Sequence, residues 1–80
     1  MNLYLISQTL NNNWSTFDSA VVAADSEEAA RSIHPNGENW DGKIDEWSSW
    51  CEKKDVTVRF IGIAADDIVP GVICASFRGE

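Results

Sequence analysis

A chain that works by covalent or acid-base chemistry must bring a nucleophile to a base. Here the side chains best suited to those roles are one histidine, His34, and two cysteines, Cys51 and Cys74. His34 directly precedes Pro35 and has no partner in the sequence beyond generic acids, so it reads as a histidine closing a helix near the negative end of its dipole. The cysteines lie 23 positions apart with no C-x-x-C, which removes zinc and thioredoxin-type motifs. Neither stands at a predicted helix N-terminus that would favour a thiolate, although Lys53 and Lys54 follow Cys51 closely; Cys74, in a predicted strand, reads as a core residue. The five glycines are scattered, so no phosphate-cradling loop is present. Setting Gly42 at the glycine of an EF-hand loop puts Asn39 and Asp41 at ligand positions, but Gly37 and Ser48 then replace the first ligand and the bidentate glutamate. The adjacent acids Asp45-Glu46 and Asp66-Asp67 read as solvated charges rather than a glycosidase-type pair. The sequence therefore predicts no catalytic residue, no metal site and no cofactor.

What stands out instead is a concentration of negative charge. Between Asp25 and Glu46 seven acids (Asp25, Glu27, Glu28, Glu38, Asp41, Asp45, Glu46) face only Arg31 and Lys43, a local net of 2 − 7 = −5, and Trp40, Trp47 and Trp50 are interleaved with them or follow them. Indole rings supply buried contact area at an interface, while carboxylates pair with Arg bidentately and speed encounter with a basic partner. Acids spaced along a surface can also stand in for phosphates and occupy a nucleic-acid groove. This predicts a partner-binding segment with Glu27, Glu28, Glu38, Asp41, Asp45 and Glu46 as charge partners and Trp40 and Trp47 as anchors. The competing reading is that the tryptophans fill a thin core and the acids solvate helix and loop.

Those side chains need a scaffold, and it is organised around Phe17 to Pro35, where an apolar run passes without a linker into a capped helix. Asp25 and Ser26 are both helix-capping residues, Asp25 with Glu28 has capping-box spacing, and Glu27 and Glu28 complement the positive end of the helix dipole. Ala29, Ala30 and Ile33 give a narrow apolar face that can lie close to a sheet, leaving Arg31 and Ser32 toward water. Pro35 and the Asn36-Gly37 turn limit the helix to about two to three turns. Before it, Leu3–Gln8 carries apolar residues on both faces, as a central strand does, and the polar stretch Thr9–Thr16 connects it to a second strand over Phe17–Ala24. After it, Asn36–Gly42 reads as loop, and Ile44, Trp47 and Trp50 at i, i+3 spacing suit a short helix or turn. Val56–Ile63 alternates Val56, Val58 and Phe60 against Thr57 and Arg59, and Val72–Phe77 forms the last strand beyond a turn at Asp66-Asp67 and Pro70-Gly71. The order strand, strand, helix, strand, strand predicts one α+β domain over residues 1–80. It is a two-layer sandwich of a small, mostly antiparallel sheet of about four strands with one short helix on one face. The other sheet face is then only partly protected, and a large exposed patch there points to a homodimer or a partner.

Composition sets the limits. Eighty residues bury roughly 60 per cent of the chain's surface on folding, so the core is thin, and four tryptophans are more than it needs. Thirteen acidic against six basic residues give a charge of −7, which repels nucleic acid and anionic membrane and favours basic partners. No signal peptide and no apolar run long enough to span a bilayer are present, which predicts a cytoplasmic protein with reduced thiols, no membrane association and no direct nucleic-acid contact.

The opening MNLYLISQ, the segment DSAVVAADSEEAARSIHPNG, VTVRFIGIA and the closing GVICASF together resemble a recurrent family of short open reading frames in phages and prophages, across about residues 1–37 and 56–77. That pattern carries no catalytic motif. The strand-helix-strand layout in a small acidic format also resembles anti-CRISPR proteins, which bind a CRISPR effector complex and block its DNA-binding or nuclease step. The resemblance assigns no site residues. It implies a non-enzymatic phage or prophage inhibitor acting in the host cytoplasm on a basic surface of a CRISPR effector complex. A self-associating structural or accessory phage protein is the other reading.

Overall fold

The two predicted N-terminal strands pair with each other in the computed structural model, which describes residues 1–10, 15–37, 40, 42 and 49–78. β1 (Asn2–Ser7) and β2 (Thr16–Ala24) run antiparallel with Tyr4 opposite Val22 and Ile6 opposite Ala20, so these apolar side chains share one face. β3 (Thr57–Ile63) adds to the other side of β1 and β4 (Gly71–Arg78) to the other side of β2, both antiparallel, giving the order β3-β1-β2-β4. The described residues thus form a four-stranded antiparallel sheet with one short α-helix, α1 (Glu27–Arg31), an α+β fold. β1 is central, as apolar residues on both its faces predict.

This order obliges residues 64–70 to cross from one edge of the sheet to the other. Three strand spacings are about 14 Å, well within the roughly 23 Å that seven extended residues can span. The crossing is fixed at one end of the sheet: Ala64 N–H donates to Met1 C=O (3.0 Å) and Ile68 N–H to Ala65 C=O (3.0 Å). Gly71, at φ +136° where a side chain would be strained, turns the chain into β4 opposite Ala23.

The core lies on the face that carries Tyr4, Ile6, Ala20, Val22 and Ala24. Ala30 of α1, Trp50, Cys51 and Val56 complete it, with Phe17, Ile33, Trp40, Val58 and Val72 partly buried around it. Ile6 and Val22 are fully buried, each worth about 1.5–3 kcal/mol by apolar burial, and Trp50 is the largest fully buried side chain among the described residues. Gln8, also buried, satisfies its amide by donating from Nε2 to Phe17 C=O (3.0 Å). On the opposite face Leu3, Leu5 and Val21 are half-buried while Arg59, Cys74 and Ser76 are exposed. Cys74 is therefore not a core residue. It sits on the open face of an edge strand, and strand periodicity alone cannot tell which face a sheet leaves uncovered.

Three further details differ from the sequence reading. The N-cap is Ser26, whose Oγ accepts from Ala29 N–H (3.1 Å); Asp25 lies outside the cap, and Glu28 at the second helical position is one short of closing a capping box. The helix has 5 residues rather than two to three turns, because Ser32 already departs from helical geometry and Ile33 closes on Ala30 C=O in a tighter turn (3.1 Å). Arg31 does not face water fully: it is half-buried and its Nη1 donates to Val56 C=O, tying α1 to the residue that precedes β3. The helix or turn predicted over Ile44–Cys51 lies mostly outside the described residues, and its end, Trp50 and Cys51, is buried.

Candidate partner-binding face

Of the eight residues expected to meet a partner, Glu27, Glu28 and Trp40 are described; Glu38, Asp41, Asp45, Glu46 and Trp47 lie outside the described residues. Glu27 and Glu28 are exposed in the first turn of α1. Their situations differ. Lys53 Nζ forms an ion pair with Glu28 Oε2, and Arg31 Nε lies 4.0 Å from Glu28 Oε1, so this carboxylate is held between two cations. The Lys53 hydrogen bond, then the Lys53 charge, lowers the Glu28 pKa from the usual carboxylate value. Glu27 is held more loosely, with Arg31 Nη2 at 3.6 Å across an i, i+4 spacing. Glu27 is thus the helix acid more readily offered to a partner, and Glu28 serves the contact of α1 with the 3₁₀ turn Lys53–Asp55.

The strand directions bring in acids that the sequence reading left out of the partner-binding set, Asp25 as one of the segment's acids and Asp66-Asp67 as solvated charges. β2 ends at Ala24 and is followed by Asp25; the crossing segment at the same end carries Asp66 and Asp67 in the turn that Ile68 N–H closes on Ala65 C=O. Asp25, Asp66 and Asp67 are all exposed. With Glu27 they form a negative pole at the end of the sheet where β1 begins. No periodicity in the sequence signals this, because it depends on β3 and β4 lying at opposite edges.

Trp40 is half-buried and belongs to an aromatic group around His34. The imidazole stands edge-on to Trp40 (centroids 5.5 Å, 87°) and to Phe17 (6.2 Å, 89°), with Trp50 at 6.4 Å. Asn36 N–H donates to His34 Nδ1 (3.1 Å), so Nδ1 is unprotonated and the ring proton of the neutral imidazole is on Nε2. Gly37, at φ +82°, returns its N–H to His34 C=O (2.9 Å) and fixes the turn that presents the ring. Beside this group a cleft of about 480 Å³ opens, lined by Ser32, Ile33, His34, Gly37, Trp40, Gly71 and Val72. His34 is the one titratable side chain among these lining residues.

Cys51, the other candidate for chemistry, is buried in the core. Burial first, and the negative charge of Asp55 second, push its thiol up to about 11, so it is the protonated, unreactive form at neutral pH. Among the described residues no group of three or more His, Cys, Asp or Glu is placed to hold a metal ion, and no helix is long and apolar enough to cross a membrane. Comparison with protein-family models, with curated proteins and with solved structures finds no match to the chain.

Proposed function

We propose that this chain is a non-enzymatic binding protein, carried by a phage or prophage, that docks its negative pole on a basic surface of a CRISPR effector complex in the host cytoplasm. There it blocks the DNA-binding or nuclease step. The observation that carries the basic-partner reading is the convergence of exposed Asp25, Glu27, Asp66 and Asp67 on one end of the sheet in a chain of net charge −7. The choice of a CRISPR effector rests on the resemblance in size, charge and layout to anti-CRISPR proteins. The fold reading that goes with it is a two-layer sandwich, with α1 and the aromatic group around His34 as the layer over the inner sheet face. Against catalysis stands the burial of Cys51, whose raised thiol is protonated at neutral pH. Expression of the chain in hosts with active CRISPR systems tests the proposal: interference against a targeted plasmid falls, and the effector complex co-purifies with the chain. Undiminished interference together with no recovered effector component rules it out.

One observation favours the second reading, self-association as an accessory phage protein. Ile63 and Val69 are 71 % and 74 % exposed, and Phe60, Ile61, Ile73 and Phe77 on the two edge strands are exposed as well. Sizing by sedimentation separates the two: a stable oligomer whose assembly survives charge reversal of Glu27, Asp66 and Asp67 supports self-association.

A further inference from the structure

β4 is an edge strand in the described sheet, and Val72–Phe77 contains no charged residue and no proline, the features that commonly keep an edge from pairing. Ile73 to Phe77 are exposed along it. Where the strand begins, Val72 lines the cleft of about 480 Å³ together with Ile33, His34 and Trp40. An edge that offers main-chain N–H and C=O groups beside an apolar cleft is the arrangement by which sheets take up an extended peptide. The backbone supplies hydrogen bonds, and one side chain supplies selectivity.

We propose that β4 and this cleft bind an extended cationic segment of a partner protein, which pairs with β4 and seats one aromatic or branched apolar side chain against Val72 and Trp40. The inference rests on the basic-partner reading above and says which part of the partner is held and where. Charge selects this occupant: the chain carries a net −7, and the segment that leads into β4 carries exposed Asp66 and Asp67 at the end of the sheet where β4 begins, so a segment bearing Lys or Arg is drawn to that end. A second copy of the chain carries the same net charge of −7 and is repelled.

The test is selection of the full chain against a displayed library of random linear peptides, followed by amide chemical-shift mapping with the tightest peptide. The enriched peptides carry an apolar anchor next to Lys or Arg, and the shifts fall on Val72–Phe77 and the Trp40 indole. Ala75→Lys, at an exposed position of β4, weakens that peptide roughly tenfold or more with an unchanged melting temperature, by edge blocking and like-charge repulsion. Cationic peptides whose shifts fall on Glu27 and Glu28 instead overturn this site while leaving the basic-partner reading standing. Enrichment of no cationic peptide overturns the site, whatever the interference assay gives. A doubled mass in solution with β4 amides protected from exchange before any peptide is added also overturns it, since a second copy then holds the edge.

Discussion

Cys51 and Cys74 are the same side chain in two electrostatic settings, and their chemistry should separate accordingly. Cys74 is exposed on β4 and Cys51 is buried with its thiol raised to about 11. An aromatic disulfide reagent at pH 8 is expected to titrate one thiol quickly and the second only after denaturant is added; two fast thiols would contradict the burial. The linkage has a definite sign. Because the folded pKa of Cys51 lies above its unfolded value, stability is complete below the unfolded value and declines as pH rises from about 9 toward 11, and Cys51→Ala should flatten that decline. Glu28 behaves oppositely. Its folded pKa is lowered, so its contribution is present at neutral pH and is lost as pH falls through that lowered value. Melting curves of Glu28→Gln against the native chain should differ at pH 7 in low salt and converge once the pH is low enough to protonate Glu28 in the fold, or in high salt, since the pair with Lys53 is exposed. At this scale the sequence misjudged which cysteine is buried: Cys74 reads as core from its place in a strand and is exposed, because the alternation of a strand does not say which sheet face is covered, while Cys51 is the buried one.

Among the elements, α1 gives the sharpest local test. Ser26 Oγ accepts the Ala29 N–H, whereas Asp25 makes no cap bond to the helix, so Ser26→Ala should cost about 1 kcal/mol and Asp25→Ala within roughly 0.5 kcal/mol in urea unfolding. The reverse ranking would show that the cap had been misplaced by one residue. The strands were legible because their patterns are tied to burial: β1 is apolar on both faces and lies between two neighbours, and Val58 and Phe60 of β3 face Ile6 and Tyr4 across the ladder. Their order was not legible. Nothing local in Ala64–Pro70 distinguishes a tight hairpin from a crossing between the two edges of the sheet. Helix length was overestimated because the apolar spacing of Ala30 and Ile33 continues past the point where the backbone leaves the helix at Ser32.

For the molecule as a whole, the acidic surplus was visible in composition, but its geometry was not. The sequence pointed to the Asp25–Glu46 segment. The fold keeps Glu27 available, occupies Glu28 with Lys53 and Arg31, half-buries Trp40 against His34, and brings Asp66 and Asp67 to the end where Asp25 lies. Charge drawn together from separated segments acts at the distance of encounter, so it governs how fast a partner is met more than how tightly each contact holds. The measurement that addresses this most directly is the association rate of the chain with purified, guide-loaded CRISPR effector complex at low and high salt, for the native chain and for Glu27→Lys/Asp66→Lys/Asp67→Lys. Association of the native chain should slow steeply as salt rises, and the triple variant should associate on the order of ten to a hundred times more slowly at low salt while keeping its fold. Failure of the native chain to bind, or equal and salt-independent rates for both proteins, would contradict the account.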